Sequence, residues 1–225
     1  MCGRYTQTAA FDELALRFGI TVEDTGLEDL GPRYNVAPSQ PVPIVVGENG
    51  DRRLVLATWG FHPAWMKDSK LAPINAKAET IATSRMFQGA LKHARCLVPA
   101  DGFYEWKAVP GQKRKQPYHL RLRGGGLIAF AGLYTPASAG PVSPATCPII
   151  TTTPNELAAA IHDRMPVILT PNDEGRWTDP RVSDPAEVLP CLRPLPAELM
   201  EAFPVSTLVS SPGNQGPRLV EPLSL

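Results

Sequence analysis

No stretch of the chain approaches the roughly 18 consecutive apolar residues that a membrane-spanning helix needs. The N-terminus, with Arg4 followed by polar residues, also lacks the charged-then-apolar order of a secretory signal. No membrane role is expected, and a cytoplasmic or nucleoid location is the default. Charge of one sign is missing too. Lys and Arg number 22 and so do Asp and Glu, so no whole-molecule field draws in a polyanion and any nucleic-acid site must be a local patch. Cysteine is sparse: Cys2, Cys96, Cys147 and Cys191 lie far apart, form no CxxC pair and have no histidines at ligand spacing. That argues against a zinc site, and no metal or other cofactor is expected. Without a secretory signal a disulfide framework is disfavoured as well, and Cys96, Cys147 and Cys191 read as small core hydrophobes. There is no internal repeat, long linker or low-complexity tract.

What is present is enough apolar residue for a proper core, 43% of 225. The 25 prolines are about twice the usual ~5% and are scattered among hydrophobic runs, which favours many turns and short strands. In AAFDELALRF, Phe11, Leu14, Ala15 and Phe18 recur at i, i+3, i+4 and i+7 and predict a helix with one buried face. PIVVGENGDRRLVLATW predicts a hairpin turning at Asn49-Gly50, a pair that tolerates positive φ. Further strands are expected in RCLVPA, GFYEWKAV, YHLRLR, LIAFAGLYT, CPIITTT and MPVILT. Helices are expected in TSRMFQGALKHA and in NELAAAIH, the latter capped by Asn155. This order has no regular βαβ alternation. It predicts a single α+β domain over residues 2–225, with curled mixed and antiparallel sheets around a barrel-like core and a few short helices. The tail SSPGNQGPRLVEPL is rich in turn formers and is expected to be ordered where it packs back.

The opening MCGRY raises the main chemical question. If Met1 is removed, which a small second residue permits, Cys2 carries an α-amine and a thiol on adjacent carbons. An α-amine with a pKa of ~7.7–8.0 is partly neutral near neutrality, whereas a lysine at ~10.4 is not. A neutral amine attacks an aldehyde to give a Schiff base, and the adjacent thiol closes on the imine carbon as a five-membered thiazolidine. The alternative is a small residue tolerated after Met1. Asn75, Lys77 and Glu79 follow a strand end in PINAKAET. Glu105, in the aromatic stretch GFYEW, has surroundings that raise a carboxyl pKa toward the range of proton transfer; otherwise it is a strand carboxylate paired with a lysine. His162 and Arg164 stand at a helix-to-strand junction, where an imidazole beside a fixed cation suits proton transfer next to a phosphate; otherwise His162 is structural. His62, His93 and His119 have no comparable setting.

Taken together, MCGRY, RYNVAP, INAKAETIATSRMF, RCLVPADGFYEW, IHDRMPVIL and GNQGPRLVEPL closely resemble the SRAP family, the abasic-site processing proteins once described as SOS-response-associated peptidases. The resemblance implies covalent capture of the ring-opened aldehyde of abasic sites in single-stranded DNA, together with lyase-type strand scission and crosslink reversal. It implies Cys2 as the nucleophile, exposed in a groove after obligatory loss of Met1. Asn75 would position its amine or the sugar, Glu105 would support proton transfer, and His162 would act in proton transfers at the sugar. It further implies that Gly3, Arg4, Lys77, Arg85 and Arg164 hold phosphates and that Trp65 and Phe87 stack on or wedge beside bases. Trp106 could instead be core. The partner is thus single-stranded DNA containing abasic sites, met by a monomer.

The chain departs from the family pattern at Lys77, where many bacterial members have arginine, and at Met66, where some have a second tryptophan. The first loses a planar fork for phosphate and the second a stacking platform. Two other readings stand beside this one: an N-terminal-cysteine peptidase or self-processing hydrolase, and a non-covalent reader of single-stranded or modified DNA.

Overall fold

The computed structural model describes residues 2–20, 31–48, 50–63, 65–66, 72–137 and 144–223. Met1 and Asn49 fall outside them. The described strands form two sheets. The first is antiparallel: β1 (Tyr5–Gln7) lies between β2 (Arg33–Val36) and β7 (Gly102–Lys107), and the order continues through β8 (Gln116–Leu122) to β14 (Met200–Pro204). The second is mixed. It runs β10 (Ala145–Cys147), β4 (Asp51–Trp59), β3 (Pro41–Glu48), β6 (Arg95–Ala100), β9 (Ile128–Leu133), β11 (Ile149–Thr152) and β12 (Met165–Pro166). To it are added β13 (Ile168–Leu169) on β9 and, parallel to β11, β5 (Asn75–Lys77). With a few short helices this is the curled α+β arrangement that the strand pattern predicts.

Alternation along the strands builds two cores. Val42, Ile44 and Val46 of β3, Cys96, Val98 and Ala100 of β6, and Ile128 and Phe130 of β9 meet Tyr5, Val36, Phe103 and Leu120 of the first sheet. Their neighbours Val45, Leu97, Ala129, Ala131 and Leu133 point the other way. There they pack under α1 (Phe11–Phe18), α2 (Gln88–His93) and α4 (Pro171–Thr178), through Phe11, Leu14, Phe18, Leu91 and Trp177. Side chains alternate sides with period two, so a strand buried on both faces reads as an unbroken apolar run. α3 (Glu156–Ala159) is a single turn beside β14, capped as predicted by the Asn155 side chain, which accepts from Ala158 N–H at 2.8 Å.

Buried charges tie the helices down. Arg95, nearly inaccessible, donates to the carbonyls of Leu91, Lys92, Trp177, Asp179 and Val182 at 2.6–2.9 Å. One guanidinium thereby satisfies the open C-terminal carbonyls of α2 and α4, where a cation is also favoured by the helix dipole. Glu174 of α4 is likewise buried and takes a bidentate pair from Arg17 of α1 at 2.7 and 3.1 Å.

The predicted α1 is present with the four expected residues buried, and β3 pairs with β4 from Pro41↔Thr58 to Glu48↔Asp51, with Gly50 at φ +93° just ahead of β4. Two expectations change. The helix expected over TSRMFQGALKHA begins only at Gln88, because residues 80–87 wind through tight turns in which the Ser84 carbonyl takes both the Phe87 and Gln88 N–H. MPVILT divides at Val167, whose N–H bonds Ile150 while its carbonyl serves Ala131, so the chain passes from β11 to β9 in one residue. Val209 and Leu219 of the C-terminal tail pack against Tyr104, and Gln215 bonds the backbone of Tyr34 and Asn35, covering the β2 edge. Cys96, Cys147 and Cys191 are free and buried in the cores. Among the described residues no helix is long and apolar enough to cross a membrane.

At Gly102, where β1 meets β7, an added Cβ would lie 2.3 Å from His119 Nε2 and 2.9 Å from the Leu120 carbonyl. His119 is itself buried between Tyr104 and Phe203 and cannot swing away freely. Gly102→Ala is therefore expected to destabilise the protein by about 1–3 kcal/mol, typical of overpacking. A denaturant midpoint equal to that of the parent would show that this packing is looser than drawn.

Candidate functional site

The site forms where the first sheet delivers the chain's beginning against the second. Tyr5 pairs with Phe103 across β1 and β7, and the Tyr104 N–H donates to the Arg4 carbonyl at 2.9 Å, so the residues preceding β1 run alongside Tyr104 and Glu105. Along β7, Phe103 enters the core between the sheets while Tyr104 and Trp106 face the C-terminal tail. Period two then places Glu105 on the Phe103 side, where it is 3% exposed. Asn75 opens β5 at the far side of β11, and its Nδ2 donates to the Cys2 carbonyl at 2.9 Å. His162 follows α3 and turns toward β12, with Nε2 3.7 Å from Glu105 Oε2. Four residues distant in sequence thus meet from four elements.

Burial sets the electrostatics. The Cys2 side chain is fully enclosed in the core between the sheets, not exposed as expected, because β1 is a central strand and carries its leading residues inward. Desolvation, with the nearby Glu105 adding to it, raises the thiol well above its ordinary 9.0. Glu105 has the apolar setting read from GFYEW, and burial pushes its carboxyl from 4.5 up to about 7, against the opposing pull of positive charge at the amino terminus and Lys115. Burial also lowers the His162 imidazole. Its Nδ1 accepts from the Arg164 N–H at 3.1 Å and lies 3.0 Å from Asp163 Oδ1. With its proton on Nε2, toward Glu105, the neutral ring accepts the first contact at Nδ1; a ring carrying a proton on Nδ1, neutral or charged, can donate to Asp163.

The expected phosphate and base contacts are placed differently from one another. Lys77 and Arg85 are exposed, and Gly3 is half-buried. Arg4 Nη1 donates to Asn35 Oδ1 at 2.8 Å and the Val209 carbonyl at 2.7 Å, and its guanidinium stands 5.8 Å over the Trp106 ring. It braces the tail onto β2. Arg164 makes a bidentate pair with Glu79, at 2.7 and 2.9 Å, and donates to the Thr151 carbonyl at 2.7 Å. Trp65 is 63% exposed and lines a groove of 380 Å³ with Arg85, Phe61, Met86 and Tyr134. Phe87 belongs instead to the core, its ring 5.3 Å from that of Phe61, and offers no free face to a base. Half-buried Trp106 donates to Ser210 Oγ at 3.2 Å and packs under the tail. Glu79 has no role legible in the sequence, since its partner Arg164 is distant along the chain.

These features define a class of protein: an α+β fold that holds an N-terminal cysteine, a high-pKa carboxyl and an imidazole together between two sheets. The family model described as SOS response associated peptidase (SRAP) matches residues 1–212. The chain belongs to the SRAP family. It is 44% identical to the abasic site processing protein YoqW of Bacillus subtilis over 98% of this chain and 99% of that one. It is 33% identical to the abasic site processing protein YedK of Escherichia coli over 99% and 100%. A solved structure of a protein from Bacteroides thetaiotaomicron has a TM-score of 0.86 at 27% identity, covering 99% of this chain and 100% of that one.

The Glu105 carboxyl generates a test of the electrostatics. Its folded pKa lies above its ordinary value, so the neutral acid stabilises the fold below about pH 4.5 and that contribution is lost as pH rises through 7. Glutamine stays neutral throughout. Glu105→Gln should therefore gain stability relative to the parent between these pH values, approaching about 3 kcal/mol at most, in urea melts across pH. A stability difference that does not change with pH would mean Glu105 is not desolvated.

Proposed function

We propose that this protein processes abasic sites in single-stranded DNA by capturing them covalently at Cys2. The observation that carries the reading is the meeting of Cys2, Asn75, Glu105 and His162 at one point between the sheets. Relatives that align over nearly the whole chain are abasic site processing proteins, which supports it.

The reaction needs the amine freed by loss of Met1. The neutral α-amine of Cys2 adds to the C1′ aldehyde of the ring-opened deoxyribose, and loss of one water leaves a Schiff base. The thiol then adds across the C=N bond: sulfur bonds to carbon, the thiol proton ends on nitrogen, and a thiazolidine closes. Net, protein and DNA join with release of one water. Proton traffic falls to Glu105, which near neutrality is part acid and part base and can protonate the departing hydroxyl or receive the thiol proton. The neutral His162, its Nε2 toward Glu105, serves proton transfer at the sugar, including the steps of reversal and strand scission. Asn75 holds the Cys2 carbonyl and so fixes the direction of the amine. Of the cations expected at the site, Lys77 and Arg85 are exposed and available to phosphates, and Trp65 is an exposed ring available to a base.

The buried thiol weighs against a peptidase-type mechanism. Acyl transfer uses the thiolate, which burial and Glu105 disfavour here. Aldehyde capture begins at the amine and asks the thiol to react only after an imine carbon stands beside it.

Intact mass spectrometry after mixing with an abasic oligonucleotide should show protein lacking Met1, then a one-to-one adduct equal to the sum of the masses less one water. No adduct should form with an undamaged oligonucleotide. Blocking the α-amine while leaving the thiol free should abolish the adduct, and Cys2→Ser should leave only a hydrolysable imine. Glu105→Gln should slow capture by roughly a hundredfold or more. Normal linkage by amine-blocked protein would sink the thiazolidine route.

A further inference from the structure

The hairpin that joins β7 to β8 ends in three consecutive cations, Lys113, Arg114 and Lys115. Its connection, residues 108–115, carries no acidic residue and turns through a Val109 carbonyl to Gln112 N–H bond with Gly111 at φ +79°. All three cations are exposed, and among the described residues none has a hydrogen-bond or ion-pair acceptor. This sets them apart from most arginines of the molecule. Arg4, Arg17, Arg95, Arg121 and Arg164 are committed to carbonyls, an amide or carboxylates. In a chain of zero formal charge, three adjacent unpaired cations are a strong local feature.

Their position matters as much as their charge. Glu105 stands two residues before the end of β7, and the register Glu105↔Tyr118, Lys107↔Gln116 makes the turn the direct continuation of the strand pair that carries it. The charge of Lys115 is felt at both Glu105 and His162.

We propose that this hairpin is a basic arm that grips the sugar-phosphate backbone of the DNA strand flanking the captured nucleotide, through Lys113, Arg114 and Lys115. It rests on the reading of the site as one that acts on DNA. The arm adds phosphate contacts on the β7–β8 side of the site, whereas Lys77 on β5 and Arg85 beside Trp65 belong to other elements. Contacts of this kind carry no sequence information; they fix position and register.

The test is equilibrium binding of an undamaged fluorescent single-stranded oligonucleotide, read by anisotropy over a range of NaCl concentrations. Each phosphate contact steepens log K against log salt by about 0.7 for a single strand. Replacing Lys113, Arg114 and Lys115 by glutamine should make the slope shallower by about 2 and weaken binding at least tenfold in low salt. The charge-preserving triple Lys113→Arg, Arg114→Lys, Lys115→Arg should keep the parental slope, which controls for the turn's conformation. An unchanged slope in the glutamine triple overturns the proposal, as does an equal loss in both triples. Because the oligonucleotide has no lesion, the result is independent of the covalent step. A protein that captures abasic DNA yet keeps its slope loses the arm alone, and one whose slope falls yet never captures loses the covalent reading alone.

Discussion

The insertion of β1 between β2 and β7 is the constraint on which the rest of the structure depends. It is only three residues long, yet both its edges are paired, and all of its side chains are buried. Two of them are polar. Thr6 finds the Gly102 carbonyl and the His119 ring at 3.2 Å, and Gln7 donates to the Ala9 carbonyl at 3.1 Å. These contacts, together with ladders on both edges, hold the strand in register, although the Tyr5 hydroxyl and Gln7 Oε1 are buried without a partner among the described residues. A slip of one residue would turn Tyr5 away from Trp59 and Phe130, against which its ring packs edge-on. The position of Cys2 is therefore set by the whole sheet and not by a loose terminus.

The same logic governs the cations. Arg164 is only 14% exposed and is held by Glu79 and Thr151, and Arg4 is held by Asn35 and the tail. Arginine's planar fork suits such bidentate braces, and each brace here joins segments far apart in sequence: the turn after β5 to the approach to β12, and the tail to β2. A phosphate reaching Arg164 would have to displace a charge-assisted pair. Lysines on exposed strand ends and turns face no such competitor. The distribution divides labour within a neutral molecule: arginines mostly close the architecture, while Lys77 and the Lys113–Lys115 turn remain open to solvent.

Legibility in the sequence followed the range of the interactions. The α1 face of Phe11, Leu14, Ala15 and Phe18 is written in a 3.6-residue period, the β3–β4 hairpin in its Asn-Gly turn, and β6, β7, β8, β9 and β11 in short apolar runs between prolines and glycines. These are local signals. β1, β2 and β14 were not readable, because YTQ, RYNV and MEAFP carry little apolar alternation and become strands only where a neighbour supplies the ladder. Nor was α4, whose PNDEGRWT is polar but for Trp177 and is fixed by Arg17 and Arg95 from elsewhere. At the site, the environment of Glu105 could be read from its aromatic neighbours. The burial of Cys2 and Phe87 and the commitment of Arg164 to Glu79 could not, since each is decided by tertiary contacts.

Burial of Cys2 also bears on how the proposed reaction would be selective. An exposed aminothiol reacts with any electrophile or oxidant that arrives, in proportion to its thiolate fraction. Here the thiol is enclosed beside Tyr5, and its ionisation is opposed by desolvation and by Glu105. Almost no thiolate is available for side reactions. The amine, by contrast, needs only to be neutral, which its ordinary pKa allows near pH 7.5. Imine formation would place the electrophilic carbon where the sulfur can close a five-membered ring on it, and only then would a neutral thiol need a base. Glu105, with its carboxyl raised to about 7, is suited to take that proton and return it to nitrogen or water. In the proposed reaction, the feature that makes the cysteine a poor general nucleophile would thus make it a discriminating one, committed to a carbon that its own amine had already bound.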